Sequence, residues 1–350
     1  MLRAYSYPVQ QRIQESPDTV SLILSQPLVD RITYTPGQYI TLQVELEGVL
    51  YYRNYSLSSA PQIDRHLRIT VKRKSGGKVS PYLVDEVQVG DELTFLAPTG
   101  DFRLETATKN NRHVAFFGGG SGMAPLMSMI RCLLYDEPAS RASLIDVHRT
   151  QQDLLFHTTL SELLQAFPDR FFVHHFITQP RDSIEFPHQV GRPKDPWLES
   201  WWHAQAADRP ETVYLCGPTP FMDQVERVLT QVGASPSLFT RESYEADIEL
   251  ETQRIPGGKS HAVTIHVGDH THHIQVPAGA TILDAALSKG ISLPYSCKRG
   301  TCSTCMSKIV KGHLIMEEPS ALLPFEVERG KVLICQARPT DDEVEIRVGW

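Results

Sequence analysis

The run PYSCKRGTCSTCMSKIV, residues 294–310, crowds Cys297, Cys302 and Cys305 into nine positions. A fourth cysteine, Cys335, stands in KVLICQARP after 29 intervening residues. This C-x4-C-x2-C spacing with a distant fourth cysteine is that of plant-type [2Fe-2S] ligation. Two irons need four thiolates; one tight loop can supply three of them and a remote element the last. The small residues Gly300, Thr301, Ser303 and Thr304 let backbone N–H groups approach the sulfides, and Lys298 and Arg299 favour thiolate over thiol. Zinc sites more often use two paired C-x2-C knuckles, and only one is present here. Cys297, Cys302, Cys305 and Cys335 are therefore the expected metal ligands. Of the two remaining cysteines, Cys132 lies in a helical apolar run and reads as core.

Composition bounds the rest. The 350 residues suffice for two or three domains, and 41% hydrophobic with 21% charged residues is ordinary for a globular protein. A net charge of −7 argues against a nucleic-acid surface. The start, MLRAYSYPVQ, has no apolar signal region, and no apolar run approaches the roughly 18 residues of a membrane span. A cytoplasmic location is expected, where clustered cysteines point to metal or redox chemistry.

Residues 1–104 read as all-β, with QYITLQVEL (38–46), LRITVKRK (67–74) and ELTFLAP (92–98) as short strands of a small antiparallel barrel. From 105 to 245 strands and helices alternate. HVAFF (113–117), SLIDV (143–147), FFVHHFI (171–177) and TVYLC (212–216) are buried-strand candidates of a parallel α/β sheet. Residues 246–262 read as a linker. The final unit, 263–350, opens with a hairpin pattern, AVTIHVGDHTHHIQV, whose histidines read as exposed imidazoles. A helix follows in TILDAALSKG, with Thr281 as N-cap and Gly290 as C-cap.

A cluster that passes single electrons needs a donor. In YYRNYSLSSAP, Arg53 can pair a pyrophosphate, Tyr55 can lie against a flavin ring, and the Ser56 hydroxyl suits the neighbourhood of its N5. In SGGKVSPYL, the stretch Gly76, Gly77, Lys78, Val79 and Ser80 suits a phosphate loop, with Ser80 expected as N-cap and Pro81 as first helical residue. The nucleotide site is expected where HVAFF runs into Gly118, Gly119, Gly120, Ser121 and Gly122, before a helix starting near Pro125. This is not G-x-G-x-x-G, because Met123 stands where the last glycine should be. In YLCGPTPFM, Cys216, Gly217 and Pro218 fall at the carboxyl end of a parallel strand, where ligands bind; Cys216 lacks a disulfide neighbour and suits a place near the nicotinamide. Arg149 ends the SLIDV strand and leans the nucleotide toward NADPH, with NADH as the alternative.

With RNYS, GGKVS, GGGSGMAP, CGPTPFM and CKRGTCSTC in this order, nearly the whole chain resembles the ferredoxin–NADP reductase superfamily fused to a plant-type ferredoxin. It looks closest to the reductase components of phenylacetyl-CoA epoxidase and related oxygenases. The resemblance implies an FAD barrel (FMN being the less favoured flavin), an NAD(P)H domain and a β-grasp ferredoxin domain. It also implies that TRESY supplies Glu242 and Tyr244 near the flavin, with Ser56, Cys216 and Glu242 at the chemistry. The expected activity takes a hydride from NAD(P)H and passes electrons through FAD and a [2Fe-2S] cluster to an oxygenase or other acceptor protein. Service to a hybrid-cluster protein or a fatty-acid desaturase, and a redox-sensing binding module, stand as alternatives.

Overall fold

The computed structural model describes residues 4–181, 184, 186–243, 259–268, 270–295, 298, 300, 304–316, 322 and 324–348. The first unit holds β1 (Ala4–Ser16), β2 (Thr19–Leu24), β3 (Tyr39–Leu46), β4 (Val49–Ser56), β5 (Leu67–Lys72), α1 (Val79–Asp85) and β6 (Glu92–Thr99). The strands pair antiparallel in the order β4-β3-β6-β1-β2-β5. The two end strands then meet: Leu57, just past β4, bridges Ile69, and the Ser58 N–H donates to Arg68 O at 2.8 Å. That contact closes the barrel and removes its edges. Val20, Leu22, Ile40, Leu42, Leu67, Ile69 and Phe95 fill it, and Leu83 of α1 is buried in the same core. β1 serves both walls, pairing β6 through Ala4–Pro8 and β2 through Val9–Ser16, with a register shift at Val9/Gln11. Such a shift bends a strand around a barrel corner.

The second unit holds β7 (His113–Gly119), α2 (Met123–Asp136), β8 (Arg141–His148), α3 (His157–Ala166), β9 (Phe171–Ile177), β10 (His188–Val190), α4 (Asp195–Ala204), β11 (Thr212–Cys216), α5 (Thr219–Gln231) and β12 (Phe239–Glu242). The sheet is parallel in the order β10-β9-β8-β7-β11-β12. Both faces are covered, which is why its central strands β7 and β11 read as near-continuous apolar runs. Along β7, Val114 and Phe116 join α2 and α3 in one core, while Ala115 and Phe117 join α4 and α5 in the other. Trp201 and Trp202 of LESWWHAQ lie in that second core, and Cys132 of α2 is buried as expected. A 3-10 turn at Gly120–Gly122 carries the chain into α2, which begins at Met123, two residues before the expected start.

Several interdomain contacts hold the barrel against this sheet. The Ser128 hydroxyl on α2 donates to Ser59 O at 2.5 Å, and Arg131 pairs with Asp64, with Nη2 to Oδ1 at 2.8 Å. On the other side Glu15 pairs with Arg68 and accepts the Phe156 N–H at 3.3 Å.

The last unit holds β13 (His261–Val267), β14 (His270–Val276), α6 (Ile282–Ser288), β15 (Met306–Lys311), β16 (Leu314–Met316), α7 (Pro324–Glu328), β17 (Lys331–Leu333), β18 (Ala337–Pro339) and β19 (Glu343–Val348). Its sheet runs β14-β13-β19-β15-β17, with β13 and β19 parallel, while β16 and β18 form a separate ribbon. Ile282, Leu283 and Ala286 of α6 pack on this sheet, giving the β-grasp layout. Thr281 caps α6 by accepting the Asp284 N–H at 3.2 Å; Lys289 is the C-cap, and Gly290 follows it at φ +74°. β13 starts at His261, inside the expected linker, because its first residues already pair with β14 and β19. The rest of that linker, 246–258, lies outside the described residues. The hairpin imidazoles are partnered more than expected: His266 holds Glu345 at 2.7 Å and Thr271 at 3.0 Å. No helix among the described residues is long and apolar enough to cross a membrane.

Candidate functional site

On β4 the period of two puts Tyr51, Arg53 and Tyr55 on one face and Asn54 and Ser56 on the other. Arg53 is exposed; its guanidinium donates to Tyr52 O at 2.7 Å and lies 5.5 Å from the Tyr51 ring centroid. Tyr55 is half-buried, and that burial raises its phenol pKa while Arg53 opposes the rise. Lys78 reaches the same patch: it pairs with Glu47 at 3.3 Å and hydrogen-bonds Tyr51, and both raise its pKa. RNYS and GGKVS thus converge through Tyr51, placing two cations on one exposed surface. That donor set fits the anionic diphosphate of FAD.

The phosphate loop departs from expectation in one respect. Helix α1 begins at Val79, with Lys78 as its cap residue, so Ser80 is the second helical position and Pro81 the third rather than the first. The Ser80 hydroxyl instead accepts the Lys74 N–H at 3.0 Å and closes the loop on itself. Gly76, at φ +71°, has open space where a side chain would stand.

The nucleotide residues gather where the strand order reverses. The chain leaves β7 toward β8 on one side and returns at β11 on the other, and a crevice at such a point is where ligands bind. Gly118 and Gly119 end β7 and Gly120–Gly122 follow it, and Gly217 and Pro218 follow β11 beside them. The two turns touch through backbone: a Cβ on Gly122 would lie 2.1 Å from Cys216 O, and one on Gly217 would lie 3.2 Å from Gly119 N. Gly120 takes φ +56° with nothing within 4 Å of a would-be side chain, the open space that close approach of a pyrophosphate would need.

Register then aligns three strands at this point. Gly118 on β7 pairs with Cys216 on β11, and Cys216 pairs with Glu242 on β12. Cys216 is fully buried. From the barrel, the Ser56 hydroxyl faces this row, 3.5 Å from Glu242 Oε2. Ser56, Cys216 and Glu242, far apart in sequence, are therefore neighbours. Tyr244 lies outside the described residues. Arg149 stands just past the end of β8, exposed, with ion pairs to Asp153 at 3.4 Å and Asp18 at 3.8 Å.

Cys305 and Cys335 are both buried within the core of the last unit. Cys297 and Cys302 lie outside the described residues. Gln336 ties the two parts of the expected ligand set together. Its amide donates to Lys298 O in the loop at 2.8 Å and to Cys335 O at 3.0 Å, and lies 3.8 Å from Cys335 Sγ. The Ile334 N–H also donates to Cys305 O at 3.3 Å. Soft sulfur donors at the edge of an apolar core fit an iron–sulfur cluster. The Lys298 ammonium pairs with Asp284 at 3.5 Å and lies over the Tyr295 ring at 5.2 Å. Lys298 at φ +50° and Gly300 at φ +74° both take left-handed backbone.

Sequence reasoning missed Gln336, Asp18 and a buried triad in the nucleotide unit. Asp146 accepts from His148 at 2.6 Å and meets His175 at 3.0 Å, all three buried. Burial raises the Asp146 pKa, but the two imidazoles outweigh it and hold the carboxyl down at about 2. Its signal was an acidic residue inside the apolar run SLIDV, which demands a partner.

Three domain families match the chain: the oxidoreductase FAD-binding domain over residues 6–104, the oxidoreductase NAD-binding domain over 116–227, and the 2Fe-2S iron-sulfur cluster binding domain over 265–340. The ferredoxin reductase component of 3-ketosteroid-9-alpha-monooxygenase from Mycolicibacterium smegmatis is 31% identical, over 97% of this chain and 95% of its own. A component of 1,2-phenylacetyl-CoA epoxidase from Escherichia coli is 28% identical, over 94% of this chain and 92% of its own. Among solved structures, an intact type IV self-sufficient cytochrome P450 monooxygenase superposes with a TM-score of 0.62 at 18% identity, over 98% of this chain and 41% of that one. That last likeness is one of fold.

Proposed function

We propose, from the premise that this chain belongs to the family of flavin and iron–sulfur ferredoxin reductase components of oxygenases, that it carries electrons from NAD(P)H to a partner oxygenase. It is an NAD(P)H-dependent oxidoreductase with FAD and [2Fe-2S] domains. FAD, when bound, takes up the two electrons of a hydride, and a [2Fe-2S] cluster passes electrons one at a time.

The protein's own residues supply positioning. Arg53 and Lys78 hold the flavin's diphosphate, and Tyr55 offers an aromatic plane. The open turn at Gly120 and the helix it leads into take the nucleotide's pyrophosphate. Ser56 and Glu242 offer a hydroxyl and a carboxylate that together hold a proton at the reacting end, while Cys216 packs the floor between them. Gln336 braces Cys335 against the cysteine loop. The observation that carries the reading is the Ser56–Glu242 approach from two domains, in line with Cys216. The functional units are 1–104 for the flavin, 105–245 for the nucleotide and the remainder, after the linker, for the cluster. A cytoplasmic location suits a chain whose clustered cysteines point to metal or redox chemistry.

Replacing Cys335 tests the assignment. Cys335→Ser should lose reduction of a one-electron protein acceptor such as cytochrome c, with iron and acid-labile sulfide lost. NAD(P)H-driven ferricyanide reduction should stay within about twofold, since it needs only the flavin. Full cytochrome c reduction with normal iron in Cys335→Ser would remove Cys335 from the electron path.

A further inference from the structure

We infer that Asp18, on the flavin barrel, sets the choice between NADH and NADPH by holding the Arg149 guanidinium that a 2′-phosphate would need. The inference rests on the proposed nucleotide site and deepens it.

Arg149 follows β8, the strand beside β7, whose far end carries Gly118–Gly122. In an open parallel sheet that strand end faces the adenosine ribose, and an arginine there accommodates a 2′-phosphate. Here, however, two carboxylates already flank Arg149. Asp153 Oδ1 lies at 3.4 Å on the same loop, and its other oxygen accepts the Thr150 N–H at 3.1 Å and hydroxyl at 3.0 Å. Asp18 Oδ2 lies at 3.8 Å and comes from the other domain, in the turn between β1 and β2.

Asp18 is held firmly. It accepts the Ser16 and Thr19 hydroxyls at 2.9 Å each and pairs with Lys72 at 3.4 Å, while its carbonyl accepts the Arg73 N–H at 2.7 Å. Burial raises its pKa, but Lys72 and the two hydroxyls outweigh this and keep it ionised. Within this group Arg149 and Lys72 are balanced by Asp18 and Asp153. A 2′-phosphate would have to share Arg149 with these two carboxylates and would sit within a Debye length of both. A ribose 2′-hydroxyl can instead donate to a carboxylate. NADH is therefore the favoured donor.

Asp18→Asn removes the charge and keeps an acceptor for the turn. The test compares kcat/KM for NADH and NADPH with ferricyanide. It also compares calorimetric Kd values for adenosine 2′,5′-bisphosphate and 5′-AMP on flavin-loaded protein. The wild type should favour NADH. Asp18→Asn should shift the ratio toward NADPH by about five- to tenfold, a modest effect because Arg149 is exposed and screened. It should tighten the bisphosphate by a similar factor and leave 5′-AMP unchanged. In an Arg149→Gln background, Asp18→Asn should move neither quantity. A wild type favouring NADPH would overturn the inference. So would an unmoved ratio and bisphosphate Kd in Asp18→Asn with normal flavin content, or an equal shift in the Arg149→Gln background. If neither nucleotide reduced the wild type, the proposed function would fall, and the bisphosphate affinities would still decide the role of Asp18.

Discussion

Gly122→Ala should damage the nucleotide site without touching any side chain in it. Gly122 has φ −62° and ψ −14°, so alanine fits the backbone conformation; the obstacle is space. A Cβ there would stand 2.1 Å from Cys216 O, 2.4 Å from Cys216 C and 2.8 Å from Gly217 N. All three are main-chain atoms, and none can swing aside as a side-chain tip could. Relief requires the turn after β7 and the turn after β11 to part by about 1 Å, a shift that costs about 1–3 kcal/mol in a packed interior. β11 is held between β7 and β12, so much of the shift falls on the Gly118–Gly122 turn. A displacement of about 1 Å at a positioning element lowers rate on the order of a hundredfold. Urea unfolding should therefore show a loss of about 1–3 kcal/mol. Nucleotide kcat/KM with ferricyanide should fall on the order of a hundredfold at unchanged flavin content. Gly233→Ala is the control: at φ +99° with nothing within 4 Å, it strains only the backbone past α5, costing about 1 kcal/mol with wild-type kinetics. Wild-type kcat/KM in Gly122→Ala would refute the contact as the reason for glycine.

Two further outcomes follow from the site. Asp146 has its pKa lowered from 3.8 to about 2 in the folded protein, so the unfolded chain binds its proton more readily. It therefore stabilises the fold by about 2–3 kcal/mol above pH 4, an advantage lost as pH falls toward 2. The urea midpoints of wild type and Asp146→Asn should converge over that window, and curves that stay parallel through it would contradict the pairing with His148 and His175. Glu242→Gln should slow nucleotide-driven flavin reduction by about ten- to a hundredfold with flavin content unchanged, as a reacting-end carboxylate at 3.5 Å from Ser56 implies. Loss of flavin instead, with normal rates in the fraction that keeps it, would make Glu242 a retention residue.

Much of this protein is written locally. The spacing of Cys297, Cys302 and Cys305 is a covalent fact, and thiolate chemistry leaves few readings of it. HVAFF and TVYLC are legible because a parallel strand buried on both faces must be apolar throughout. β1 is less legible: it mixes Pro8 with polar residues because its outer face meets water and it turns a barrel corner. Ser80 misled because a hydroxyl near a helix start can serve either the helix or the loop before it, and Lys74 N–H took it. Tertiary structure alone decided the pairings between distant segments. Glu242 became Ser56's neighbour because β12 pairs with β11 in one register and the barrel docks against that edge. Arg149 looked free to take a phosphate until the fold set Asp18 beside it. Spacing along a chain is fixed by bonds, whereas charge at a site is a sum over everything that folding brings within a few ångströms.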